Sequence, residues 1–273
     1  MFRDFAAVRE VARARGPGRV AVAGGGDADL EESLREAARL GIAEPEVAPG
    51  AAEAVELVRS GRCGILMKGT VDTGTFMKAI LDKDRGLRGS GLISHVFVAE
   101  CRRLGRLLLV TDGGINIAPS LEEKAQIIRN ALPLAAALGL DAPKVAVLAA
   151  IEKPNPKMPE TLDAVELVRM NRDGRLAGCT VGGPLAMDGC VSAEAAARKG
   201  IKDPVAGAAD IILVPGVVTG NAMCKALIHL AGDEAGGYVA GAAAPVVFLS
   251  RADDARDRLN SIALGVLMSG RAG

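Results

Sequence analysis

One pattern constrains this chain more than any other. A short apolar run ends in a polar, glycine-bearing turn and passes into a segment with helical spacing, at least four times over. Residues 19–24 lead into Gly24, Gly25, Gly26 and Asp27; 63–67 lead into a turn over 68–75; 209–215 lead into Gly216; 246–249 lead into Ser250 and Arg251. Such runs fill strands buried on both faces, and their alternation with helices predicts a parallel α/β sheet with its loops gathered on one edge. Ligands of open α/β sheets bind at that edge, outside the carboxyl ends of the strands.

The last turn is the corner around which the reading is built. Asp253 or Asp254 supplies an N-cap, and Leu259, Ile262, Ala263 and Val266 follow at helical spacing. Ser250 and Arg251 thereby bring a hydroxyl and a guanidinium to a strand's carboxyl end. The 68–75 turn resembles an anion cradle: Lys68, the small Gly69 and the hydroxyls of Thr70 and Thr73 precede a helix carrying Phe76, Ile80 and Leu81. It is not a P-loop, because the lysine precedes the glycine. The Gly24–Asp29 stretch lacks the third glycine of a dinucleotide fingerprint, so it reads as an ordinary strand-to-helix turn.

Elsewhere, 92–100 and 104–111 are β-rich and suit an antiparallel pair or a domain crossover. Ser120 and Glu123 form a capping box. Residues 179–184 read as a glycine-rich loop. Residues 219–225 read as a helix entry, where Asn221 either bonds a ligand or caps the helix. His95, between apolar strand residues, reads as structural.

Composition narrows the function. Thirty-three basic residues balance thirty-three acidic ones, and the chain has no Trp, one Tyr and five Phe, which disfavours nucleic acid. Five cysteines without a CxxC pair, and only two histidines, argue against a metal site and for buried thiols in a reducing cytosol. The amphipathic N-terminus has no signal-peptide core, and no stretch is long enough to span a membrane, so a cytoplasmic protein is expected.

Five segments together carry a resemblance. Residues 68–73, 111–116, 183–188, 220–227 and 248–251 resemble, in order, the phosphate acetyl/butyryl transferase family, from about residue 60 to the end. The butyryl branch is the nearer. The resemblance implies a two-domain, three-layer α/β/α fold with mostly parallel sheets, like that of isocitrate and isopropylmalate dehydrogenases. It implies domains of 1–87 plus 245–273 and of 88–244, with the active site in the cleft between them. It implies reversible conversion of acyl-CoA and phosphate to acyl phosphate and CoA, with CoA as substrate and no tightly bound cofactor or metal. It places the catalytic groups on Ser250, Arg251 and Asp257, and substrate contacts on Lys68, Gly69, Thr70, Thr73, Asn116, Gly183, Pro184, Gly220 and Asn221. A homodimer or larger homo-oligomer is implied as well. Where the acetyl branch has a serine and an arginine this chain has Gly69 and Thr75, and Lys68 or Lys78 is the candidate replacement cation.

The chemistry suits those residues. A CoA thiol attacks the acyl phosphate, Asp257 acts as base, Arg251 neutralises phosphate charge, and Ser250 donates a hydrogen bond without becoming a covalent nucleophile. Three alternatives stand beside the butyryl enzyme: a phosphate acetyltransferase, an oxidoreductase on the related scaffold, and a non-catalytic CoA or acyl-phosphate binding protein.

Overall fold

A computed structural model describes residues 2–89, 91–248, 250 and 253–270. The chain divides into two compact units, one of Val96–Asp233 and one of Phe2–His95 with Glu234–Gly273. Both are α/β. The boundaries expected from sequence lay at 87/88 and 244/245.

The discontinuous unit begins with α1 (Phe5–Ala14), β1 (Gly18–Ala23), α2 (Ala28–Arg39), β2 (Ala43–Ala48), α3 (Ala51–Arg59), β3 (Ile65–Lys68) and α4 (Thr73–Ile80). It closes with β9 (Glu234–Ala240), β10 (Val246–Val247) and α10 (Ala255–Met268). Its strands run in the order β2-β1-β3-β10-β9, with β2, β1, β3 and β10 mutually parallel and β9 antiparallel to β10. From β1 the chain passes through α2 to β2, then returns through α3 to β3 on the other side of β1. α2 packs against α10, whereas α3 packs on β1 and β3 and against α4. The two crossovers therefore lie on opposite faces, and the topological switch point falls between the carboxyl ends of β1 and β3.

The continuous unit contains β4 (Ser94–Cys101), β5 (Arg106–Thr111), α5 (Leu121–Ala137), β6 (Lys144–Leu148), α6 (Pro159–Arg172), β7 (Thr180–Leu185), α7 (Met187–Val191), α8 (Ala193–Arg198), β8 (Ile211–Leu213) and α9 (Val217–His229). The order is β4-β5-β8-β6-β7. β4 and β5 form the antiparallel pair read from sequence, and β5, β8, β6 and β7 run parallel. The Ser120–Glu123 capping box is formed as expected.

Three local expectations are corrected. Residues 180–185 form β7 and not a loop. β7 pairs with β6 across a register shift, and an added Cβ at Gly182 would strike the Asp203 carboxylate while one at Gly183 would lie 2.8 Å from Val147 O. Glycine is what lets the neighbours come this close, and a proline is tolerated at such a bulge. Second, α9 begins at Val217, so Asn221 lies inside the helix and does not cap it. Its N-cap is Gly216, and the N–H of Val217 is satisfied by the carbonyl of Ile117 at 3.2 Å. Third, α10 is buried on every side from Asp257 to Met268, well beyond the stripe of Leu259, Ile262, Ala263 and Val266 read from sequence. It is enclosed by α1, α2 and β9, and Gly265 admits it against the sheet, since a Cβ there would lie 2.8 Å from Val247 Cγ2.

Candidate functional site

In the discontinuous unit, three turns leave the sheet side by side. Ala23 is paired with Lys68 in the β1–β3 register, and Met67 with Val247 in the β3–β10 register. The Gly24–Asp27 turn, the Lys68–Asp72 turn and the chain at Phe248 therefore leave adjacent parallel strands at one edge. The first two are fastened to each other. The N–H of Gly69 donates to Ala23 O at 3.1 Å, and the hydroxyl of Thr70 donates to Gly25 O at 3.1 Å. A side chain at Gly69 would collide with the carbonyl of Gly24.

The cradle is arranged differently from the sequence expectation. Lys68 is only 4% exposed, and its Nζ donates to Gly69 O at 3.3 Å. Thr73, at the first position of α4, is exposed. Asp72 caps that helix by accepting from Thr75 N at 2.9 Å, so a carboxylate already occupies part of the anion-favouring end. Its pKa is held below the usual carboxylate range, first by the Thr75 side chain and then by the Thr75 N–H.

At the 250–254 corner each aspartate has a separate task. Asp254 caps α10 through Asp257 N at 2.9 Å, and Asp253 Oδ2 accepts from Ser250 N at 2.8 Å. Phe248, just ahead of the corner, stands between the rings of Phe76 and His95, with His95 edge-on to it at 5.8 Å. Arg251 lies outside the described residues, as do Leu249 and Ala252.

Asp257 is 5% exposed. Its Oδ1 accepts from Ala235 N at 2.8 Å, and among the described residues its carboxylate makes no second hydrogen bond. Burial pushes its pKa up to about 7; the Ala235 bond opposes the rise, and the nearby charges of Asp254, Asp253 and Glu234 add to it. A carboxyl poised near neutrality beside a strand-end corner is suited to proton transfer. Burial pushes the Cys179 thiol up to about 11 and that of Cys190 up to about 12, which disfavours either as a nucleophile.

The remaining candidates lie in the continuous unit. Asp112 is buried and accepts from the N–H groups of Gly114 at 2.8 Å and Ile115 at 2.9 Å, and from Asn116 Nδ2 at 2.6 Å. Asn116 thus spends its amide on shaping its own loop. Gly220 is buried where α9 abuts that loop, and a Cβ there would lie 2.7 Å from Asp112 O, so no side chain fits at this position. Asn221, the next residue, is exposed. Gly183 donates to Asp203 Oδ2 at 3.0 Å, and Pro184 is buried. The structure brings Asn116, Gly220 and Asn221 together, while Gly183 and Pro184 sit on β7, two strands along from β8.

Sequence reasoning offered Asp253 only as an alternative N-cap and missed its hold on Ser250, along with Asp27 and Arg258. Arg258 carries a visible signal. It is a cation near the start of α10, an end that disfavours positive charge, so a local reason for it had to exist.

Fold and site together define an open α/β protein whose polar groups converge at strand carboxyl ends around a switch point. The family profile described as phosphate acetyl/butaryl transferase matches residues 33–266. The phosphate butyryltransferase of Clostridium acetobutylicum is 46% identical over 229 residues, 84% of this chain and 76% of that protein. The phosphate acetyltransferase of Thermotoga maritima is 44% identical over 216 residues, 79% of this chain and 74% of that one. Among solved structures, a branched-chain phosphotransacylase from Enterococcus faecalis superposes with a TM-score of 0.83 at 31% identity, covering 92% of this chain and 99% of that one. A β-decarboxylating dehydrogenase from Thermococcus kodakarensis shares the fold alone, with a TM-score of 0.51 at 15% identity over 93% of this chain and 81% of that one. The chain belongs to the phosphate acetyl/butaryl transferase family, a family of enzymes.

Proposed function

We propose that the protein interconverts acyl-CoA plus phosphate and acyl phosphate plus CoA, with a short acyl chain of the butyryl class, and that Asp257 is its general base. The observation that carries the assignment of the base is the burial of Asp257 beside the Ser250–Asp254 corner. With the CoA thiol taken at the cysteine value of about 8.5, transfer of its proton to a carboxylate of pKa about 7 is uphill by about 2 kcal/mol. To a solvated aspartate the same transfer would cost about 6 kcal/mol. Burial therefore makes Asp257 a base matched to this nucleophile.

In the direction of CoA acylation, the thiol sulfur attacks the acyl carbonyl and its proton passes to Asp257. The C–S bond forms, the C–O bond to phosphate breaks, and phosphate leaves with its electron pair. In reverse, phosphate oxygen attacks the thioester and Asp257 returns the proton to the departing thiolate. Ser250 donates to the carbonyl oxygen as charge develops, an interaction typically worth about 2.7–4 kcal/mol in a transition state. Arg251 takes the phosphate by resemblance to the family. Lys68, Gly69, Thr70 and Thr73 stand as phosphate-side contacts, and Asn116, Gly183, Pro184, Gly220 and Asn221 as substrate contacts.

The protein is also proposed to be cytoplasmic and homo-oligomeric. No helix among the described residues is long and apolar enough to cross a membrane. An apolar trough of about 550 Å³ along α9, with Met187, Met223, Leu227 and the 87%-exposed Leu230 in its walls, supports self-association.

Phosphate-dependent release of free thiol from acetyl-, butyryl- and longer acyl-CoA tests the function. The reading expects turnover best at four carbons. Best turnover with acetyl-CoA moves the protein to the acetyl branch and keeps the mechanism, and no phosphate-dependent release from any of them overturns it.

A further inference from the structure

The Gly24–Asp27 turn stands out in the sequence and takes no part in the chemistry above. Its last residue has a clear role in the structure. Asp27 Oδ1 caps α2 by accepting from Leu30 N at 2.8 Å, and the same oxygen accepts from Arg258 Nη1 at 2.7 Å. The Arg258 side chain is 6% exposed and that of Asp27 36%, so it is the guanidinium end of this ion pair that is withdrawn from water. Arg258 Nε donates to Asp253 O at 3.0 Å, and Asp253 Oδ2 holds Ser250 N. An unbroken chain of contacts runs from the β1–α2 turn, through one guanidinium, to the backbone of the corner.

We propose that Arg258, anchored by Asp27, is the positioning residue that fixes Asp253, and through it Ser250, for acyl transfer; the inference rests on the reading of Ser250 as catalytic. The physical case has three parts. A planar guanidinium can serve a carboxylate and a carbonyl from one rigid plane, which an ammonium cannot. The guanidinium is buried, so its geometry is enforced from the Arg258 side, and removing Asp27 takes away its carboxylate partner. Finally, a cation at this end of α10 is unfavourable to the helix dipole and is retained against that cost.

The test compares Arg258→Met, Arg258→Lys and Asp27→Asn with the unaltered enzyme in the thiol-release assay, with melting temperature measured alongside. Asp27→Asn keeps the helix cap and loses the counterion. If the unaltered enzyme shows no phosphate-dependent turnover, the functional reading itself has failed. If it is active, Arg258→Met is expected to lower kcat by about 10- to 100-fold, the scale of a misplaced catalytic group, while KM for phosphate changes less than about threefold. Arg258→Lys should recover only part of the loss, and Asp27→Asn should add nothing once Arg258 is removed. Should Arg258→Met fail to fold, Arg258→Lys and Asp27→Asn carry the decision through the same kcat-against-KM split. Folded variants with kcat unchanged, or with losses that follow melting temperature alone, overturn the proposal.

Discussion

Burial raises the carboxyl of Asp257 to about pH 7, and the same burial makes its charged form a burden on the fold. The sign of the linkage is fixed. Below about pH 3.9 the group is protonated both folded and unfolded; above that the unfolded chain releases a proton the folded one keeps. Stability tied to this residue is therefore present in acid and is lost as pH rises through about 7. Asp257→Asn keeps an acceptor for Ala235 N without the charge. Its melting temperature is expected to exceed that of the unaltered protein by a margin that appears above about pH 4, grows through pH 7 and then levels off. Circular dichroism or calorimetry suits the measurement, because the chain has no Trp and one Tyr. A variant less stable than the parent at pH 8 would contradict the burial argument.

Among the elements, glycines govern how closely segments approach. Gly69→Ala places a methyl group against the Gly24 carbonyl, which must then shift, and a loss of about 1–3 kcal/mol in denaturant unfolding is expected. Ser120→Ala removes one arm of the α5 capping box and should cost about 1 kcal/mol while leaving turnover unchanged. Those two sites also separate what the sequence shows from what it conceals. The capping box is legible because it is a local pattern with a local cause. The β4–β5 hairpin and the strand–turn–helix units were legible for the same reason. β2, with Pro45 and two glutamates, and β9, with Gly236 and Gly237, escape strand patterning. Their fit depends on distant partners: Gly236 faces Phe5 and Leu264, and Gly237 faces the Phe248 carbonyl and His95. The same limit applies to the site. Ser250 could be named as a candidate from its place at a strand end, and Asp257 only from the resemblance. The Asp27–Arg258 link could not, because its partners stand 231 positions apart.

At the scale of the whole molecule, shared architecture leaves the chemistry open, since a dehydrogenase and a phosphotransacylase both superpose on this chain. In this chain the candidate catalytic groups follow the carboxyl ends of adjacent parallel strands. The α9 trough bears on assembly. Leu230→Glu, which puts a charge on the most exposed apolar position there, should shift the protein to a smaller species in size-exclusion chromatography; an unchanged elution volume argues against that face. The account depends above all on Asp257 acting as the base for the CoA thiol. The most direct test is the pH profile of kcat/KM for acyl phosphate plus CoA, measured for the unaltered enzyme and for Asp257→Asn. The account predicts an acid limb with an apparent pKa near 7 in the unaltered enzyme. In the variant it predicts a loss of at least about 100-fold and a limb moved towards the thiol's own value near 8.5. A variant that keeps both the rate and the limb near 7 would show that the proton goes elsewhere.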